Sequence, residues 1–288
     1  MIPASFDYLT PASLGEAIEA LVSHGEDAKV IAGGHSLLPM MKLRLARPGI
    51  LVDLSRIPGI SGIQQAGDHI TIGTLTTHYQ IESSDLLREK CPLLPQTARV
   101  IGDAQVRNRG TIGGSLAHAD PAADMTAPLL ALAGELRVRG QEGDRWIQAE
   151  DFFLGLMTTA IKPNEILTEV RIPVLSDRAG TSYQKVAQKA SGFAIVGAAV
   201  HLRMNGGLCA EIGVGVTGLG STPFRARGVE EGLKNKKLGP AIIEAASSRV
   251  THGVDPLEDI HASAEFRAHL ARVSTARAIE EAAQRAGV

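Results

Sequence analysis

The sequence predicts an α+β protein in two parts: a mixed helix-and-strand region over residues 1–175, then three successive strands followed by helices over 176–288. Three observations carry this. Up to Pro173, short apolar runs ending in glycine alternate with stretches of helical spacing. Beyond it, 182–187, 194–204 and 209–219 read as an antiparallel meander, and Asn205-Gly206-Gly207 suits the positive φ of a hairpin turn. From Arg225 the pattern is helical to the end, finishing in the Ala/Glu/Arg-rich run 265–286. The size agrees, since 288 residues are long for one core and suggest two or three packed units, with subdomains at about 1–56 and 57–175.

The elements follow in order. Ser13 and Glu16 form a capping box, and Leu14, Ala17, Ile18, Leu21 and Val22 recur at helical spacing until His24-Gly25. Residues 29–32 make a short buried strand running into Gly33-Gly34-His35-Ser36. Strands are expected at 51–54 and 69–72, and a helix from near Thr77. The stretch 86–101 is mainly helical with breaks at Pro92 and Pro95, and 120–133 reads as an Ala/Leu-rich helix. Residues 135–138 and 145–148 flank Gly140 and Gly143 as a hairpin.

Several functions are excluded early. A net charge of −2 gives no basic field for nucleic acid or anionic lipid, and 3% aromatics with a single Trp146 give no base-stacking platform. Cys91 and Cys209 cannot supply the four thiolates an iron–sulfur cluster needs, so electron handling here would require an organic cofactor. Free thiols, the absence of a signal-like N-terminus and the lack of any bilayer-length apolar run imply a soluble, cytoplasmic chain with no transmembrane segment. No metal is expected: the nine histidines show no H-E-x-x-H or Cys/His clustering, and His35, His78 and His118 read as loop residues. No catalytic residue is assigned, because no nucleophile elbow occurs in a convincing context.

Two motifs point to chemistry. In Ala32-Gly33-Gly34-His35-Ser36, a strand ending in two glycines turns sharply and exposes consecutive amides, a concavity that binds phosphate oxygens. A helix starting after Ser36 adds its N-terminal dipole, and Ser36 adds a donor. Thr111-Ile112-Gly113-Gly114-Ser115 repeats this pattern 80 residues on, from 33 to 113. Either alone reads first as a plain glycine turn, and the pairing is what favours a phosphate or dinucleotide site. Asp124 either caps the helix after it or accepts from a ribose or ribityl hydroxyl or a loop amide. Arg107 and Arg109 are either solvated or near the phosphates. Gly213-Val214-Gly215-Val216-Thr217-Gly218 matches G-x-G-x-x-G but opens no helix and has no acidic residue at the required distance, so it reads as a glycine-rich strand.

The segments Gly33-Gly34-His35-Ser36-Leu37-Leu38-Pro39-Met40-Met41-Lys42 and Gln105-Val106-Arg107-Asn108-Arg109-Gly110-Thr111-Ile112-Gly113-Gly114 resemble the two signatures of the FAD-binding medium subunit of molybdenum hydroxylases, the xanthine dehydrogenase family, and most closely its aerobic carbon monoxide dehydrogenase branch. The resemblance spans essentially the whole chain. It implies a vanillyl-alcohol-oxidase-type fold, with two α+β subdomains holding FAD and a C-terminal three-stranded antiparallel sheet with helices. No His or Cys is placed for a covalent link, so the FAD is expected to be non-covalent. It also implies a small partner subunit with [2Fe–2S] clusters and a large one with molybdenum–molybdopterin, in a dimer of heterotrimers. Carried over by position, Ala32, Gly33, Gly34, His35, Ser36 and Leu37, with Thr111, Gly113, Gly114 and Ser115, would cradle the diphosphate. Ile101 would pack on the cofactor, Asp124 falls on an acidic flavin-binding position, Leu167 would meet the adenine or flavin edge, and Lys185 would lie near the isoalloxazine. Phe193 stands where relatives often have Tyr or Trp, and Ser115 where they often have Asn. Two other readings stay open: a stand-alone flavin oxidoreductase, and a phosphate-binding or scaffold module without redox work.

Overall fold

The first sheet holds three short parallel strands, β1 (Asp7–Leu9), β2 (Ala28–Ile31) and β3 (Ile50–Asp53), in the order β1-β3-β2. In this computed structural model the described residues are 2–176 and 178–287; Met1, Asp177 and Val288, which fall within the limits of the two parts above, lie outside them. Helix α1 (Leu14–His24) packs Ala17, Ile18 and Leu21 onto Ala28, Ile50 and Val52. Its capping box forms by half: the Ser13 hydroxyl accepts from the Glu16 amide, but the Glu16 carboxylate accepts from the Ala12 amide rather than that of Ser13. Val22 shares the helical spacing yet stays exposed. Helix α2 (Leu37–Lys42) begins directly after the first glycine loop.

A second sheet, antiparallel throughout, has the order β4-β5-β10-β6-β7. Its strands are β4 (Ile63–Ala66), β5 (His69–Gly73), β6 (Glu135–Gly140), β7 (Gly143–Gln148) and, after the small pair β8 (Phe153–Gly155) and β9 (Thr158–Thr159), β10 (Ile166–Pro173). Between β5 and β6 lie six short helices: α3 (His78–Ser83), α4 (Asp85–Lys90), α5 (Leu93–Ala98), α6 (Ala104–Arg109), α7 (Ile112–His118) and α8 (Thr126–Ala131); α9 (Ala149–Phe152) precedes β8. Ile70, Ile72, Leu136, Val138 and Val170 turn to a core shared with Leu94, Leu116 and Leu129 from the helices.

Two expectations for this stretch are corrected. Pro95 does not break a helix; it sits in the first turn of α5, where no intrahelical amide is required. The helix read over 120–133 shrinks to α8, because Ala119 is left-handed at φ 50 and the Asp120 carboxylate accepts from the Ala122 amide, holding 120–125 as a turn.

The C-terminal sheet is β11 (Ala179–Ala187), β12 (Ala194–Asn205), β13 (Leu208–Thr217) and a two-residue edge, β14 (Phe224–Arg225), antiparallel in that order. Gly206 and Gly207 close the β12–β13 hairpin at φ 59 and 78, as expected of this turn. Helices α10 (Arg227–Leu233), α11 (Pro240–Ser247) and α12 (Ala264–Arg285) cover one face through Val196, Val200, Val214 and Ile279. The helical pattern read from Arg225 onward is interrupted at 252–263, where Leu257 donates instead to the Leu219 carbonyl. The opposite face carries Gly213 and Gly215. A Cβ there would lie 2.0 Å from the Ala131 carbonyl oxygen and 1.9 Å from that of Ala127, so α8 rests main chain to main chain on β13. This is the structural use of the glycines in the rejected fingerprint.

Candidate cofactor cleft

The Ala32–Ser36 loop leaves the C-terminal end of β2 and turns into α2. Gly34 supplies the left-handed residue the turn needs, at φ 74. The amides of Gly34, His35, Ser36 and Leu37 find no protein acceptor among the described residues, and Ser36 makes no capping bond with its hydroxyl. Consecutive free amides at a left-handed turn are the concavity that takes an anion.

The second loop is built differently. It is not a strand followed by a glycine turn but the first turn of α7, with Thr111 as N-cap. Its amides are already used: Ile112 donates to the Thr76 carbonyl, Gly113 to that of Thr74, Gly114 to the Thr111 hydroxyl and Ser115 to the Thr111 carbonyl. The expected second amide nest is therefore corrected. What this loop offers is close approach: a Cβ on Gly113 would lie 1.6 Å from the Thr74 hydroxyl oxygen.

The two loops touch. A Cβ on Gly33 would stand 2.1 Å from the Arg109 carbonyl oxygen and 3.0 Å from the Gly110 Cα. Both open on one cleft of about 700 Å³, within the range of small-molecule sites. Its walls include Ala32 to Leu37, Ile101, Thr111, Gly113 to Ser115, Asp124, Leu167 and Phe193, so fourteen of the fifteen expected positions converge there.

Lys185 is the exception. It stands behind Asp124, donating to the Asp124 carboxylate at 2.8 Å and to the Val100 carbonyl at 2.9 Å. Tyr183 donates to the other Asp124 oxygen at 2.6 Å. Strand alternation arranges this: Tyr183 and Lys185 project from one face of β11, while Ser182 and Gln184 reach Glu281 of α12 on the other. Burial pushes the Asp124 carboxyl above its usual range, and Lys185 and Tyr183 pull it back. Asp124 does not cap α8, whose N-cap is Met125 without a side-chain bond.

Arg107 pairs with Glu82 at 2.9 Å and donates to the Ile101 carbonyl at 3.0 Å, so it braces the loop carrying Ile101 rather than floating in solvent. His78, read from sequence as a loop residue, begins α3, is 4% exposed and lines the cleft. Its Nδ1 is buried without a hydrogen-bond partner among the described residues. The helix expected from near Thr77 is present, started by the Thr77–Gln80 capping box, and it puts His78 in its first turn rather than in a loop.

Free amides on the first loop, the glycine-bearing start of α7 on the second and an orphaned His78 ring nitrogen in the same cleft wall suit a phosphate-bearing dinucleotide. Comparison with known proteins agrees. The chain belongs to the family described as the FAD binding domain in molybdopterin dehydrogenase, which matches residues 4–175, and is thus an FAD-binding oxidoreductase subunit. The CO dehydrogenase flavoprotein C-terminal domain matches residues 181–282. More particularly, the chain is 38% identical to the carbon monoxide dehydrogenase medium chain of Hydrogenophaga pseudoflava, covering 98% of both. It is 37% identical to the 6-hydroxypseudooxynicotine dehydrogenase complex subunit alpha of Paenarthrobacter nicotinovorans, over 99% of this chain and 97% of that one. The structure of carbon monoxide dehydrogenase from Hydrogenophaga pseudoflava superposes with a TM-score of 0.97 at 38% identity over 99% of each chain. Quinoline 2-oxidoreductase from Pseudomonas putida 86 does so with 0.94 at 33% identity over 100% of each. Among the described residues no helix is long and apolar enough to cross a membrane.

Proposed function

We propose that this chain is the electron-transfer flavoprotein subunit of a heterotrimeric molybdenum hydroxylase. Its FAD, held non-covalently, would receive electrons from [2Fe–2S] clusters of a small partner subunit and pass them to an external acceptor. A large partner subunit would hold molybdenum–molybdopterin and oxidise the substrate, and two heterotrimers would form the assembly. FAD suits this position because it accepts electrons singly and releases them as a pair.

The observation that carries the reading is the contact of Gly33 with Arg109 and Gly110, which sets the free amides of one loop beside the glycine surface of the other. In this reading the amides of residues 34–37 and the Ser36 hydroxyl bind the diphosphate. Gly113 and Gly114 let α7 pack tightly on Thr74 and Thr111 where it lines the cleft, Ile101 and Leu167 shield apolar parts of the cofactor, and Phe193 lies at the ring end. Lys185 would act on the flavin through Asp124 rather than by contact. The division of the chain near residue 175 into a cofactor-holding part and a C-terminal domain is supported by the change from the second sheet to the third. The two buried, unpaired cysteines support a cytoplasmic setting and leave clusters to the partner. The relatives' names span carbon monoxide, 6-hydroxypseudooxynicotine and quinoline, which supports a subunit that does not choose the substrate.

The test is direct. The full chain, purified and mixed with FAD, should retain about one flavin per chain and release it on denaturation. Produced together with the proteins encoded beside it, the chain should co-purify with iron–sulfur and molybdenum subunits. A chain that stays colourless at saturating FAD overturns the reading.

A further inference from the structure

His78 sits where the two loops meet. Its amide donates to the Gly110 carbonyl at 2.9 Å, and a Cβ on Gly110 would lie 3.0 Å from the ring Cδ2. Gly33 in turn packs against the Arg109 carbonyl and the Gly110 Cα. The imidazole thus lies against the joint of the cradle, lines the cleft, and keeps its Nδ1 buried with no partner among the described residues. A buried polar atom left unpaired is destabilising, and such groups in native proteins commonly await a ligand or a bound water.

We propose that His78 is a ligand for the cofactor's diphosphate, an imidazole that takes up a proton as the dianion enters the cradle. The proposal rests on reading the cleft as the FAD site and adds to it a residue and a proton. In the open cleft, burial and the neighbouring His35 hold His78 down to about 4, so it is neutral near pH 7. A dianion nearby favours the charged ring, and a protonated ring offers a donor at each nitrogen. Both effects push the same way.

The charged and titratable groups on the surrounding elements leave this role to His78. His35, on the first loop, is exposed and its Nδ1 already faces the Gly33 carbonyl at 3.1 Å. On α3 itself, Tyr79 is exposed and Glu82 is tied to Arg107 of α6 at 2.9 Å. Arg109 closes the last turn of α6 and does not line the cleft. Helix α5, packed against α3, has no ionisable side chain within Leu93–Ala98. His118, in the last turn of α7, lines the cleft without being buried.

The experiment is calorimetric titration of the full chain with FAD, and separately with inorganic diphosphate, in two buffers of different ionisation enthalpy between pH 6 and 8. Wild type should take up a fraction of a proton on binding, and its Kd should tighten as pH falls. His78→Asn and His78→Gln should lose the uptake and the pH slope and bind about tenfold more weakly, while His252→Asn, at an exposed histidine outside the cleft, keeps both. Thermal melts of the variants separate lost binding from lost fold. Unchanged uptake in both His78 variants, or FAD binding to wild type without uptake, overturns the role of His78 and leaves the flavin reading intact. Diphosphate binding with His78-dependent uptake in a chain that ignores FAD does the reverse. A chain that binds neither overturns both.

Discussion

Lys185 and Asp124 lie 61 positions apart in the chain, yet the ammonium and carboxylate meet at 2.8 Å with both side chains only 5% exposed. The pair joins β11 to the turn before α8, so it links the C-terminal sheet to the cleft wall.

Removing one partner of a buried pair leaves an uncompensated charge. Lys185→Met should therefore destabilise the chain by about 3–5 kcal/mol. Because burial already raises the Asp124 carboxyl and Lys185 is the largest influence lowering it, the variant's Asp124 should protonate at a higher pH than in wild type. The double variant Lys185→Met, Asp124→Leu should recover most of the loss. Urea midpoints of the three chains measure this; a single variant as stable as wild type contradicts it.

The two central glycines should fail for different reasons. In Gly33→Ala the new Cβ meets the Arg109 main chain, so the loops must part; in Gly113→Ala it meets Thr74. Both variants should lose bound flavin while the far-ultraviolet circular dichroism is retained. Gly228→Ala, whose nearest neighbour would be 3.9 Å away, should hold flavin normally. Flavin-to-protein absorbance ratios decide; full occupancy in Gly33→Ala would count against the cradle.

Acid should weaken the flavin-free chain. His78 is held at about 4 against an ordinary 6.5, and burial also lowers His201. Below the ordinary value the unfolded chain binds protons that the folded chain does not, so stability is lost as pH falls from about 6.5 toward 4. Held at about 4 rather than 6.5, His78 contributes about 3 kcal/mol across that window. Urea midpoints between pH 4.5 and 7.5 should rise with pH, and His78→Asn should flatten part of the slope.

Much of this was legible locally. The Gly-Gly pair within each motif, the Gly206-Gly207 hairpin and the helix from Leu14 each depend on residues a few positions apart. The rest was set by distant partners. Gly113 and Gly114 look like a second nest in sequence, but their amides are consumed by Thr74 and by the Thr111 hydroxyl, and the acceptor at Thr74 lies outside any motif. Asp124 looks like a helix cap until β11 brings Tyr183 and Lys185 onto it. His78 looked idle because nothing in its own neighbourhood names the cavity it faces.

The bare strip formed by Gly213 and Gly215 has a mechanical effect. Where helix and sheet usually meet through side chains, the layer between them can repack; here carbonyl oxygens of Ala127 and Ala131 sit against strand backbone with nothing compressible between. The joint acts as a keyed seat that fixes the height of α8, and with it the turn bearing Asp124. A chain cut near residue 176 would expose that seat as unpaved main chain on one fragment and the underside of α8 on the other, so neither fragment would carry the surface it needs to stand alone.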